Sequence, residues 1–486
     1  MTASDDPLRG LEPAAPPADG LELDPETMRE LGYRVVDLLV ERAAALDEGR
    51  VWRGASRAEM ESRLREPPPE GATGFEELLA RLEKDVLPFS GHHDHPRFFG
   101  YVPSEPTWPG VLGDFIASGT NIFAGTWLQS AGASTVELVV IDWFRQWIGF
   151  GGRSSGILLP GGSLANLTAI ACARETQAGG RAENAVVYVT AQTHSSVTRA
   201  LRILGFQPEQ VRSVAVDDRL RLRPDALAAA IENDVQAGRQ PFLVAASAGA
   251  TNTGAVDPLA EVAAVCSEAD VWLHVDAAYG GFAVLTERGS AVLAGIDQAD
   301  SVALDPHKWL YQPYECGCLI VRDGPLLAQA FHILPDYLQD TAVGGVEVNF
   351  ADRGIQLTRS TRALKIWLSL HAFGVGAFRA AIDRTLDLAL HAEERIGASD
   401  ELELLSPASL GIVCFRRHPA GMDDEPELEA LNQSLDRRLA ESGEGLVSST
   451  RVDGRYALRL CVLNHSSRAE DVDRVLDWLA GATLDS

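Results

Sequence analysis

From Asp24 to about Ala45 apolar residues recur at helical spacing, with Asp24 placed as an N-cap and Pro25 at the first helical position. A second amphipathic stretch, about Gly74 to Leu87, predicts another helix. It runs into GHHDHPRFFGYVPSEPTW, where the density of His, Pro and aromatic residues argues against regular structure and for pocket lining. From there to about Ala380, short β-rich runs alternate with helical patterns: GILLP, AVVYVT, VRSVAV, FLVAASAG, VWLHVDAAY, SVALD and CGCLIV. Such alternation predicts an α/β fold with a mostly parallel seven-stranded sheet covered by helices on both faces. After a helical stretch around Arg362 to Ala398, the runs LGIVCFRR and YALRLCVLN interleave with two helices and predict a small C-terminal α+β domain. The expected division is a disordered tail (1–20), an N-terminal helical segment (21–107), a large domain (108–378) and a small domain (379–486).

Composition narrows the function classes. A chain of 486 residues can bury a core large enough for a cofactor enzyme, and its formal charge of -27 disfavours nucleic acid or an anionic membrane as partner. No apolar run has the length of a membrane span, and the first 20 residues lack the basic start and apolar core of a signal peptide, so a cytoplasmic protein is expected. The six cysteines are scattered without the paired spacing of a disulfide framework or a metal site. Cys316 and Cys318 fall on one face of a predicted strand as core thiols, and no metal is expected.

Four motifs carry candidate chemistry. In ADSVALDPHKWLYQP a strand ends in a turn that presents Lys308 beside His307; a desolvated amine there can form an imine with an aldehyde cofactor. VWLHVDAAYGG places Asp276 at a strand end, followed by small residues that admit a flat ring, and a carboxylate at such a site can keep a pyridine nitrogen protonated. GILLPGGSLANLTAI runs strand, Gly161 and Gly162, then a helix opening at Ser163, whose amides and positive end suit a phosphate. TAQTHSSVTRA puts His194 between a strand and a helix, where its ring can stack on a planar cofactor. Each motif alone also admits a plain structural role: a solvated loop lysine, a turn aspartate, a helix cap, a structural histidine. All four, however, lie at carboxyl ends of predicted parallel strands, where open α/β sheets bind ligands.

In this order the residues resemble the group II decarboxylases that depend on pyridoxal 5′-phosphate (PLP), the family of aromatic-L-amino-acid and glutamate decarboxylases. The resemblance runs from about Asp24 to the C-terminus. It implies fold type I, an obligate homodimer wrapped by the N-terminal segment, and decarboxylation of an L-amino acid through a Schiff base on Lys308 and a quinonoid intermediate. It implies Asp276 as partner of the pyridine nitrogen, His194 over the ring, Ala278 under it, Gly162, Ser163 and His307 at the phosphate, and Thr251 beside the cofactor. Asp305 stands where better-known members read NPHK, a change expected to alter a local hydrogen bond. FFGYVPSEP resembles the family's FFAYFP stretch, which makes Tyr101, Val102, Pro103 and Ser104 substrate-lining candidates, with Phe123 as a further one. An aromatic-walled slot favours an aromatic side chain. Thr358 falls where phenol-preferring members have Ser, which leans towards phenyl or phenolic substrates.

The family's mobile loop carries a tyrosine that protonates the carbanion. With a one-residue gap Phe350 takes that position in PDYLQDTAVGGVEVNFADRGIQLTR, and no tyrosine follows Tyr337 there. Plant relatives with Phe at that place are aldehyde synthases, so oxygen-dependent conversion to an aromatic aldehyde stands beside amine formation as the alternative. An aminotransferase or cysteine desulfurase on the same fold, with Arg359 or Arg362 holding a carboxylate, and a non-enzymatic subunit of the same fold are further alternatives.

Overall fold

The computed structural model describes residues 20–177, 179–180, 183–333 and 347–483. The expected tail, but for Gly20, and most of the loop that includes Tyr337 lie outside these residues. Two compact units emerge: residues 20–49 with 56–88, and residues 50–55 with 89–483. The first holds helices Pro25–Ala45, Arg57–Leu64 and Phe75–Asp85. Asp24 caps the first of them by accepting the N–H groups of Glu26 and Thr27, as its sequence pattern predicts.

The second unit contains both sheets. Strands β1 (Ser155–Leu159), β2 (Ala185–Thr190), β3 (Val211–Val214), β4 (Gln240–Ser247), β5 (Trp272–Asp276), β6 (Ser301–Leu304) and β7 (Gly317–Val321) form one seven-stranded sheet in the order β1-β7-β6-β5-β4-β2-β3. Only β7 runs antiparallel, to both of its neighbours. All other strands therefore end on one edge, and β7 begins there. β2 and β5 are buried throughout, as strands covered on both faces must be. Four further strands, β8 (Leu402–Ser409), β9 (Ile412–Arg417), β10 (Ser448–Val452) and β11 (Arg455–Cys461), make an antiparallel sheet ordered β10-β11-β9-β8. Helices Glu425–Ser442 and Ala469–Gly481 pack with it around a second core that includes Leu435, Leu458 and Leu476. The helix Ala363–Gly397 links the two sheets and bends at Gly374, whose φ of 73° lies in the left-handed region. Among the described residues no helix is long and apolar enough to cross a membrane, and all six cysteines are free and buried.

One buried ion pair ties the rim of the large sheet to the segment that follows the loop. Arg359 and Glu137, 0% and 1% exposed, meet at 2.6 Å. Arg359 also donates to the carbonyls of Ala124 (2.8 Å) and Leu158 (2.7 Å), while Glu137 accepts the Leu158 N–H at 2.9 Å. The ring of Phe350, 1% exposed, lies 5.1 Å from the Arg359 guanidinium and 5.5 Å from that of Arg353. Phe350 is thus a core residue clamped by two cations. Removing one partner of a buried pair strands the other's charge. Glu137→Ala is accordingly expected to lower the unfolding free energy by about 3–5 kcal/mol, read from the shift in denaturant midpoint.

Candidate active site

The shared strand edge gathers nine of the expected residues into one cavity of about 450 Å³: Gly162, Ser163, His194, Thr251, Asp276, Ala278, Asp305, His307 and Lys308 all line it. They come from five different strand ends, because parallel neighbours deliver their carboxyl ends to the same rim.

The floor is set by close backbone approach. A side chain on Gly162 would meet the Ala278 methyl at 2.8 Å, and one on Gly317 would meet Gly161 Cα at 2.5 Å. Helix Gly162–Gln177 can therefore press its N-terminus onto the turn after β6 only with glycine at these positions. The first amides of a helix have no partner within it, so this terminus offers an anion cradle. On the facing turn, Lys308 Nζ lies 2.9 Å from Asp305 Oδ2, and His307 Nε2 lies 3.6 Å from the same oxygen. Burial lowers the His307 pKa, with the Asp305 charge opposing it.

Asp276 and His194 are held by one hydrogen-bond relay. The Trp272 indole N–H donates to Ser301 Oγ (2.9 Å), Ser301 Oγ meets His274 Nδ1 (2.8 Å), and His274 Nε2 meets Asn166 Oδ1 (2.9 Å). The Asn166 amide nitrogen donates both to Asp276 Oδ2 (2.9 Å) and to Ser196 Oγ (2.8 Å), and Ser196 Oγ meets His194 Nδ1 at 2.8 Å. The directions are forced. Asn166 spends its donors on Asp276 and Ser196, so its oxygen accepts and His274 carries its proton on Nε2. Ser196, already accepting, donates to His194 Nδ1, which also caps its own helix by accepting the Ser196 N–H. The neutral His194 ring consequently keeps its proton on Nε2. The second Asp276 oxygen accepts the Ala278 N–H at 3.2 Å.

A second cavity of about 600 Å³ shares Thr251 with the first and is lined by Trp52, His93, Phe98 and Tyr101 together with the charged Asp436, Arg437 and Arg459. Tyr101 sits at φ 55°, a left-handed conformation uncommon outside glycine and frequent at functional sites. Of the other substrate-lining candidates, Val102, Pro103 and Ser104 are wholly or largely buried and line neither cavity, and Phe123 bridges to Ser360. Thr358 is exposed on the chain surface. Phe350 lies in the core, its ring 5.5 Å from the Arg353 guanidinium and 5.1 Å from that of Arg359, and it does not line the cofactor cavity. Arg359 is held through both terminal nitrogens by Glu137 and two carbonyls, and Arg362 pairs with Glu315 at 3.1 Å.

Sequence reasoning missed Asn166, His274, Ser196, Trp52 and His93. The signal for the first two was present: a polar side chain inside an apolar helix or strand (ANLTAI, VWLHVD) must find a partner when buried. Both are 0% exposed.

Residues 58–418 match the family model described as "Pyridoxal-dependent decarboxylase conserved domain". The chain is 41% identical to an aromatic-L-amino-acid decarboxylase of Bacillus atrophaeus over 94% of this chain and 96% of that protein. It is 30% identical to a phenylacetaldehyde synthase of Petunia hybrida over 90% and 91% of the two chains. Among solved structures, Oryza sativa TDC with PLP and tryptamine superposes with a TM-score of 0.88 at 28% identity, covering 94% of this chain and 97% of that one.

Two outcomes follow from the relay. Asn166→Ala removes a hydrogen bond to a buried carboxylate and is expected to lower kcat/KM about ten- to hundredfold while far-UV circular dichroism is unchanged. His274 has its pKa lowered by burial from 6.5 to about 4, against the Asp276 charge. Between those values the unfolded chain binds the proton and the folded chain does not, so the contribution of His274 to stability is lost as pH falls through that interval. The stability gap between wild type and His274→Gln should therefore shrink from pH 6.5 to about 4. Asp257 and Asp436, both pushed up to about 6 by burial, act in the opposite sense but cancel in that difference.

Proposed function

The chain belongs to the pyridoxal-dependent decarboxylase family and its cofactor is PLP; from that premise we propose that it converts an aromatic L-amino acid to CO2 and the corresponding amine. The observation that carries this reading is the pair of cavities: a cofactor-sized site and a second one that shares Thr251 with it and has Trp52, His93, Phe98 and Tyr101 in its lining. A flat apolar side chain gains most from Trp52, Phe98 and Tyr101.

The donor set fits PLP. The helix N-terminus at Gly162 and Ser163 suits its phosphate, Lys308 its aldehyde, and Asp276, oriented by Asn166, its ring nitrogen. When bound, the cofactor supplies a ring that accepts the electrons left by the departing carboxylate. Asp276 would keep the ring nitrogen protonated, His194, its tautomer set by Ser196, would pack against the ring, and Lys308 would be the amine that holds the cofactor before substrate arrives. Among the described residues no arginine lines the cofactor cavity. A transaminase must grip the carboxylate that a decarboxylase discards, and the arginines placed to do so, Arg437 and Arg459, line the second cavity rather than the cofactor cavity.

Phe350 is buried and does not line the cofactor cavity, and the aldehyde product is kept as the alternative to the amine. Tyr337, the one tyrosine between His332 and Phe350, lies outside the described residues, and we assign the final proton donation to His194, which lines the cofactor cavity, or to a water. A second copy of the chain completes the assembly in this reading. Exposed Leu128, Ile355 and Leu357 lie on the segments that carry Phe123 and Thr358, which the Ala124–Arg359 backbone bond joins.

The test is a product balance with L-phenylalanine, L-tyrosine, L-DOPA and L-tryptophan. Amine equal to CO2, with little hydrogen peroxide, is expected of the wild type, and peroxide equal to CO2 overturns the amine reading. His194→Gln should cut amine formation about a hundredfold or more while Tyr337→Phe leaves it within about twofold; a hundredfold loss in Tyr337→Phe alone would move the proton donation to that residue.

A further inference from the structure

We propose that Asp305 is a built-in anion of the phosphate cradle, so that this chain distinguishes PLP from unphosphorylated pyridoxal less sharply than the same chain with an amide at that position would. The proposal rests on the cofactor reading above. The Asp305 side chain is 3% exposed and lines the cofactor cavity. Its Oδ2 lies 3.0 Å from the position a Cβ would take on Gly162, the first residue of the helix whose amides form the cradle. A carboxylate pressed against that terminus already satisfies the positive helix end that a phosphate would seek.

Its partners are unequal to two anions. Oδ2 has Lys308 at 2.9 Å and His307 at 3.6 Å, whereas Oδ1 is buried without a hydrogen-bond partner among the described residues. The other titratable groups whose ionisation Asp305 influences are Tyr314, Cys316 and Cys318, none of which supplies a cation. Burial pushes all three upward and the Asp305 charge adds to it. Across the cavity stands a further carboxylate, Asp276, and Glu315 lines the rim. Once Lys308 is engaged elsewhere, Asp305 keeps His307 nearby, while Lys365 and Arg362, which also act on this neighbourhood, are paired with Asp114 and Glu315, so a phosphate beside Asp305 meets a buried like charge. Two anions at one site relieve their repulsion by sharing a proton. Loading with PLP is therefore accompanied by proton uptake that loading with pyridoxal does not need.

Two measurements on the full-length chain freed of cofactor test this. Titration followed by the visible absorption band compares wild type with Asp305→Asn for PLP and for pyridoxal. The variant should bind PLP about tenfold more tightly or better, with pyridoxal affinity within about twofold. Equal changes for both compounds, or weaker PLP binding by the variant, overturn the proposal. Calorimetry of the wild type alone, in buffers of different ionisation enthalpy, should find close to one more proton taken up with PLP than with pyridoxal, and equal uptake overturns it whether or not the variant folds. Absence of a visible band with either compound instead overturns the cofactor assignment, and this proposal with it.

Discussion

The side chain of Asn166 is the point on which the rest of the site depends. Its amide is the only group here that touches both arms of the relay, Asp276 on β5 and Ser196 below His194, while its oxygen is fixed by His274. An amide suits this position because it has two donors and one oxygen, and each meets a group of the opposite kind. A carboxylate would repel Asp276, and an alkyl group would leave a buried carboxylate oxygen and an imidazole unpartnered. Burying Trp272, His274, Asn166 and Ser301 together is tolerable because every polar atom in the chain of bonds is used. The electrostatic character of the ring site and the orientation of the histidine above it are consequently one property of the core.

A second constraint is the reversal of β7. Because it runs against its neighbours, its first residues arrive at the edge where the other strands end, and the backbone of Gly317 rests on Gly161. That contact fixes the approach of β1 to the turn bearing Lys308. It also brings Glu315 to the cavity wall and gives the His307 ring the Cys316 carbonyl at 2.7 Å. The anion cradle and the lysine turn, far apart in sequence, face each other because one strand is turned round.

Much of this was legible in the sequence, for a physical reason. Strands covered on both faces must be apolar, and chemistry placed at their ends interrupts the apolar run, so Asp276, His194 and Lys308 stood out as polar residues where a strand stops. The seven runs named from composition became the seven strands of the large sheet. Residues whose role depends on pairing across long separations were not legible. Asn166 meets His274 across 108 positions, and nothing local to either names the other. The slot walls failed for a similar reason. Val102, Pro103 and Ser104 share a segment with Tyr101, but the left-handed turn at Tyr101 puts that residue alone on the second cavity, opposite Trp52 from a distant part of the chain.

Phe350 shows that one position can satisfy a packing requirement and a mechanistic expectation at once. Two positions in a loop can each hold an aromatic residue for unrelated reasons: one because a hydroxyl is needed at the reacting carbon, the other because a ring must fill the core. The residues around Phe350 meet the second. Arg359 and Arg353 present their guanidinium groups to its ring, and Arg359 is itself held by Glu137 and two carbonyls, so the cations are fixed before the ring arrives. A ring face is favourable between such cations, and a ring hydroxyl buried there would have to find its own partner. Phenylalanine at this place is accounted for by packing whether or not the position also bears on the chemistry, so the ring alone does not name the group that returns the proton to the substrate.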